Sequence, residues 1–209
     1  MAAQSKHTRR ILSGADLRGM LDMGKDSLEV NVDLVNSINV FPVPDGDTGT
    51  NMVFTLLPIV EECKEKINSH AGETYAIMAN MALDSARGNS GTIIAQFFYG
   101  MSQVSQDLDK IEVKDFAKAL INGHNSARDS LSNPEEGTII TVMRDVAKSA
   151  QLITNEGCSD YVPFIKHIFK EAERSLKSTK TILKILKKSD VVDSGALGYV
   201  LLIQGALNL

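Results

Sequence analysis

The spacing of apolar residues along this chain is helical almost throughout. Leu17, Met20, Leu21 and Leu28 recur at helical steps behind Ser13 and Asp16, which read as a capping-box start with Asp in place of the usual Glu. The same period predicts helices over about 50–67, 73–84, 92–102, 113–131 and 138–153. Phe164, Ile165, Ile168, Phe169, Ala172 and Leu176 then form an apolar stripe, with Lys166, Lys170, Glu173 and Lys177 on the opposite face. A last helix starts near Ser194 or Gly195 and runs to the C-terminus. Asn133-Pro134 interrupts the pattern, with Pro134 either at the first position of the next helix or in a turn. About eight helices with short connections and no alternating strand make an all-α bundle.

The unusual residues sit in the loops. Asn39 to Met52 reads NVFPVPDGDTGTNM, with Asp45 and Asp47 around Gly46 and with Pro42 and Pro44 ahead of them. The prolines stiffen the approach and Gly46 and Gly49 permit a sharp turn. Thr48, Gly49, Thr50 and Asn51 then fall at a helix N-terminus, where carboxylates suit a hard cation and free N–H groups suit a phosphate. The alternative is a plain Asp-Gly turn with capping Asp and Thr. An EF-hand does not fit, because counting from Asp45 places Leu56 where position 12 needs a bidentate Glu.

Three further glycine-bearing loops, ARGNSG, PEEGT and DSGALG, also open helices. Gly88, Gly91, Asn89 and Ser90 form a phosphate-loop candidate or an ordinary cap. Arg87 either meets phosphate or pairs with Asp84, the pairing being favoured. Glu135 and Glu136 read as partners of a helix dipole, which leaves Gly137 and Thr138 as the better nucleotide contacts. Asp193-Ser194-Gly195 reads first as an N-cap. Convergence of these termini on one end of the bundle would create a polyanion site. The segment GMLDMGK (residues 19–25) imitates a P-loop but is followed by Asp26 in place of Ser or Thr and lies inside an amphipathic helix, so it is a chance match.

Composition narrows the classes. The 209 residues are 43% hydrophobic and 23% charged, enough for a substantial core. A net charge of −4, no basic block beyond Lys6, Arg9 and Arg10, no Trp and 5% aromatic residues argue against nucleic acid as a partner. Cys63 and Cys158 read as free thiols of a reducing cytosol, and no window approaches a membrane span or a signal peptide. His7, His70, His124 and His167 show no ligand spacing, and no nucleophile–base grouping stands out.

Taken in order, NVFPVPDGDTGTNM, ARGNSGTIIAQ, PEEGTIITV and VVDSGALGYVLL resemble the DhaL-like (DAK2) nucleotide-binding domain over about residues 14–209. The proline-bearing form, with GTNM and RGNSG, looks most like the N-terminal kinase domain of bacterial fatty acid kinase A subunits. The resemblance implies an antiparallel barrel of about eight helices that binds ATP or ADP through one or two Mg²⁺ ions at one end. It implies Asp45 and Asp47 as metal-binding and catalytic residues. The family's third Asp falls here on Val40, which points to the neighbouring Asn39 as third ligand. By position, Thr48, Gly49, Thr50 and Asn51, Gly88, Asn89 and Ser90, Gly137, Thr138 and Ile139, and Asp193, Ser194 and Gly195 match nucleotide-contacting loops. Ser85 departs from an expected Gly and stiffens its loop.

The implied reaction is ATP-dependent phosphorylation of a fatty acid carboxylate, presented by a fatty-acid-carrying binding protein, to an acyl phosphate that feeds phospholipid synthesis. A carboxylate is already ionised and needs no general base. The resemblance further implies a cytoplasmic fragment of a longer chain, with an N-terminal extension over 1–13, the kinase domain over 14–209, and a homodimer contact in the missing C-terminal part. Two other readings stand beside this one. One is a dihydroxyacetone kinase-type phosphotransferase subunit. The other is a non-catalytic module that binds nucleotide and magnesium.

Overall fold

Ten α-helices follow one another in the computed structural model, which describes residues 8–65 and 69–208. Eight are long: α1 (Gly14–Val30), α3 (Thr48–Glu65), α4 (Ala71–Ser85), α5 (Gly88–Gln103), α6 (Val113–Asp129), α7 (Ile139–Asn155), α8 (Tyr161–Ile182) and α10 (Ser194–Gly205). These are the helices that the apolar period predicts. The capping box that starts α1 is present, with Ser13 and Asp16 each taking the other's backbone N–H. The P-loop-like segment lies within α1. Two short helices, α2 (Val32–Ser37) and α9 (Lys184–Ser189), are additional. At six residues each they are too short to show a period. Pro134 lies in the turn before α7 and not at its first position. The expected end of the second long helix, 66–67, and residues 1–7 lie outside the described residues.

Consecutive long helices pack side by side, and α10 closes the ring against α1 and α8. α10 is apolar all round, as a helix enclosed by neighbours should be. Core side chains such as Met52, Leu56, Ile94, Met143 and Phe164 are fully buried. An apolar cavity within the ring is lined by residues of six of these helices, among them Leu17, Met78, Phe97, Phe116, Ile168 and Tyr199.

Because the helices alternate in direction, their N-termini fall into two sets. Those of α1, α4, α6 and α8 gather at one end, where Gly14 N–H donates to the Ser69 carbonyl, Ala71 N–H to Asp109, and Tyr161 N–H to Arg9. There a two-strand antiparallel ladder pairs β1 (Ile11–Leu12) with β2 (Ile111–Glu112). Residues 9–12, assigned by sequence to an extension, are therefore tied into the fold. The N-termini of α3, α5, α7 and α10 meet at the other end.

Candidate functional site

The second end is held together by short polar side chains. The Ser90 hydroxyl donates to the Thr48 carbonyl at 3.2 Å, and the Ser194 hydroxyl to the Thr48 hydroxyl at 3.2 Å, which links α5, α3 and α10. Asp193 is 4% exposed and accepts the Ala196 N–H at 2.8 Å as the N-cap of α10. The same carboxylate accepts the backbone N–H of Ile139, the first residue of α7. One buried Asp thus fastens two helix termini together. Burial pushes its carboxyl up to about 6 against the lowering effect of those two hydrogen bonds.

That shift has a definite sign. The folded pKa lies above the unfolded Asp value of about 3.9, so the folded state holds the proton more tightly. The stability contributed by protonation is fully present below about pH 4 and is lost as pH rises through about 6. The loss amounts to about 3 kcal/mol. Asp193→Asn keeps an acceptor for the helix amides and should flatten this part of the curve. Denaturant unfolding at pH 4 and pH 7 of both proteins measures the difference.

Two adjoining clefts open among the four termini. The first, about 480 Å³, is lined by Asn39, Pro42, Val43, Asp45, Asp47, Thr48, Asn51, Gly88, Asn89 and Ser90. The second, about 850 Å³, shares Pro42, Thr48, Asn89 and Ser90 and extends along Phe41, Ile93, Leu131, Glu135, Thr138, Ile139, Asp193, Ser194 and Gly195. Segments far apart in sequence therefore assemble one continuous site, with the acidic loop at one side and a more apolar recess at the other.

Of the residues expected there, Gly49, Thr50 and Gly137 line neither cleft. Gly49 is buried against α2, and the amides of Gly49 and Thr50 both donate to Asn36 Oδ1, at 2.8 and 3.2 Å. Gly137 sits in the turn before α7, donating its N–H to Thr141 Oγ1 at 2.8 Å. Of the two glutamates, Glu136 ties that turn down through Thr141 Oγ1 and Arg144, a structural role. Glu135 lines the second cleft. Arg87 stacks its guanidinium 4.9 Å from the centre of the Phe54 ring and makes no ion pair with Asp84 among the described residues. Ser85 fits its loop by donating to the Thr55 carbonyl at 2.8 Å.

The four termini differ in what they leave free. The Gly49 and Thr50 amides in the first turn of α3 are occupied by Asn36, and Asp193 takes those of Ile139 in α7 and Ala196 in α10. α5 has no side-chain cap, and its amides at Asn89 and Ser90 donate to no protein acceptor among the described residues. An anion at this end therefore finds free backbone donors at α5, and also at Gly195 in the first turn of α10, whose N–H has no protein acceptor among the described residues. Gly88 makes the α5 terminus accessible. It has φ +59°, and a Cβ there would lie 2.4 Å from Asn51 Nδ2.

Opposite these donors stand oxygen acceptors. Asn39 is 7% exposed and donates its Nδ2–H to Asp45 Oδ1 at 2.7 Å, while its own Oδ1 is buried without a partner. A buried orphan oxygen beside two carboxylates is a hard donor set that suits magnesium. No three His, Cys, Asp or Glu side chains converge as metal ligands among the described residues. A cation here would complete its shell from water and phosphate oxygens, as magnesium commonly does.

Residues 42–208 match the model of the DAK2 domain. The chain belongs to the DAK2 domain family. An uncharacterized protein of Staphylococcus epidermidis (strain ATCC 12228 / FDA PCI 1200) is 37% identical over 196 residues, 94% of this chain and 35% of its own length. Protein YloV of Bacillus subtilis (strain 168) is 36% identical over 198 residues, 95% of this chain and 36% of its own. This DAK2 chain thus spans about a third of the length of these relatives. Among solved structures, the dihydroxyacetone kinase from C. freundii in complex with AMP-PNP and Mg²⁺ superposes with a TM-score of 0.69 at 15% identity, over 99% of this chain and 36% of that one. Its native form gives 0.64 at 16% identity, over 100% of this chain and 37% of that one. The shared architecture is the all-α barrel expected from the family resemblance. No described helix is long and apolar enough to cross a membrane.

Proposed function

We propose that this DAK2 domain is an ATP- and magnesium-binding kinase domain that phosphorylates a carrier-bound fatty acid carboxylate to an acyl phosphate. The observation that carries the reading is the division of one site into a free helix N-terminus and a facing oxygen cluster. The amides of Asn89 and Ser90 and the side-chain amide of Asn51 offer donors to phosphate oxygens. Asp45, Asp47 and the orphan Asn39 Oδ1 would hold magnesium, which when bound neutralises charge on the phosphates. The adjoining recess, walled by Ile93, Leu131 and Ile139, offers apolar surface to the nucleoside.

Phosphoryl transfer then depends on position and charge. A carboxylate oxygen of the acceptor attacks the terminal phosphorus, the new O–P bond forms, and the bond to the bridging oxygen breaks with its electron pair leaving on ADP. No histidine among the described residues lines either cleft. An ionised carboxylate acceptor requires no base there, whereas a hydroxyl acceptor gains from one. The Asp45–Asn39 hydrogen bond fixes one carboxylate in the loop before any ligand arrives.

The test is acceptor choice. The protein is incubated with ATP and either a fatty acid on its carrier protein or free dihydroxyacetone, and acyl phosphate is trapped with hydroxylamine. Magnesium-dependent hydroxamate from the fatty acid supports the reading. Phosphorylation of dihydroxyacetone instead contradicts it, and magnesium-dependent nucleotide binding with transfer to neither acceptor supports a binding module.

A further inference from the structure

Asn36 lines neither cleft, yet it makes three hydrogen bonds to the segment that carries the acidic loop into α3. Its Oδ1 accepts from Gly49 N–H at 2.8 Å and Thr50 N–H at 3.2 Å, and its Nδ2 donates to Thr50 Oγ1 at 2.8 Å. The packing admits no slack. A Cβ on Gly49 would come within 2.9 Å of the Val32 carbonyl, 3.0 Å of Val35 Cβ and 3.1 Å of Asn36 Oδ1. Short helix α2 is therefore latched to the first turn of α3 by one side-chain amide. Asp47 and Thr48, both in the first cleft, immediately precede the two latched residues.

The latch has two chemical effects. It fixes the direction in which the chain leaves Asp47, and so the separation of that carboxylate from Asn51 and from the α5 terminus. It also fills the Gly49 and Thr50 amides in the first turn of α3, which would otherwise compete for phosphate beside the carboxylates. The cluster of cation-holding oxygens and the anion-holding amides are kept on different helices. We infer that Asn36 is a positioning residue that keeps the α3 terminus closed to anions and sets Asp47 for magnesium-dependent nucleotide binding. This rests on the functional reading given above.

First-turn helix amides have no intrahelical acceptor, so they exchange rapidly unless something caps them. Hydrogen exchange in the ligand-free protein should show Gly49 and Thr50 protected. Asn36→Ala should release both while leaving the later turns of α3 protected. Calorimetric titration of ADP with Mg²⁺ and again with EDTA gives a second readout, the factor by which magnesium tightens binding. That factor should fall about tenfold or more in Asn36→Ala, in the range found when groups that orient metal ligands are removed. Thr50→Val, which removes one of the three bonds, should fall between. Asn36→Asp retains an acceptor for both amides and should keep them protected.

Released amides with an unchanged magnesium factor would overturn the positioning role, since a purely structural latch gives that result. Amides already unprotected in the wild type would overturn the latch itself. Protected amides in a wild type that shows no magnesium-dependent binding would remove the functional reading, and this inference with it.

Discussion

Replacing Asp47 with alanine is expected to remove the magnesium-dependent part of nucleotide binding and leave the fold intact. The Asp47 side chain lines the first cleft, and no hydrogen bond of its carboxylate to another group is present among the described residues. Truncating it therefore breaks no internal contact, in contrast to Asp45, whose loss would also orphan the Asn39 amide. Removing one of two carboxylates from a magnesium site should weaken the magnesium complex by about a hundredfold or more, since even groups behind the ligands are worth 10–100-fold. In free energy that is about 3 kcal/mol. A thermal-shift assay reads it directly. Ligand at about a hundred times its dissociation constant stabilises by about 2.7 kcal/mol, or roughly 5–10 °C for a domain of this size. The wild type should show that shift with ADP and Mg²⁺. Asp47→Ala should lose it while melting at the wild-type temperature without ligand.

The second large effect concerns the opposite end of the barrel. Phe164 is completely buried and meets Phe116 and Tyr161 edge-to-face, with ring centres 6.0 Å away in both cases. Tyr161 in turn donates its hydroxyl to the Ile111 carbonyl in β2 at 3.1 Å. Phe164→Ala removes the centre of this cluster and leaves a cavity between α6 and α8, at a cost of about 4 kcal/mol. The melting midpoint should fall by roughly 8–16 °C. Nucleotide affinity measured well below that midpoint should not change, because the cluster belongs to the end away from the clefts. A loss of affinity matching the loss of stability would mean that the two ends are not independent.

The long helices were legible because each carries several turns of apolar period. What escaped the sequence is tertiary. α2 and α9 are too short to establish a period, and the β1–β2 ladder is only two residues long. The acidic loop, the ARGNSG loop and the DSG turn were identifiable as helix openings from their glycines and caps. Their convergence became visible only through contacts such as Ser194 to Thr48, which are 146 residues apart. Sequence suggested that any of these termini could receive phosphate. The structure separates them, because Asn36 reaches α3 from 13 residues upstream and Asp193 reaches Ile139 from the far side of α8 and α9. An Asn at position 36 carries no local sign of that role. Arg87 illustrates the same limit, since its nearest acid in sequence is Asp84 but its actual partner is Phe54 on a neighbouring helix.

In the proposed function Asp45, Asp47 and Asn39 face the α5 terminus across one nucleotide site. Titration of ADP into the wild-type protein in a calorimeter, first with Mg²⁺ and then with EDTA, tests it most directly. Saturable binding at one site per chain is expected with magnesium, and binding at least tenfold weaker with EDTA. Equal affinity under the two conditions, or no binding with magnesium, would contradict it.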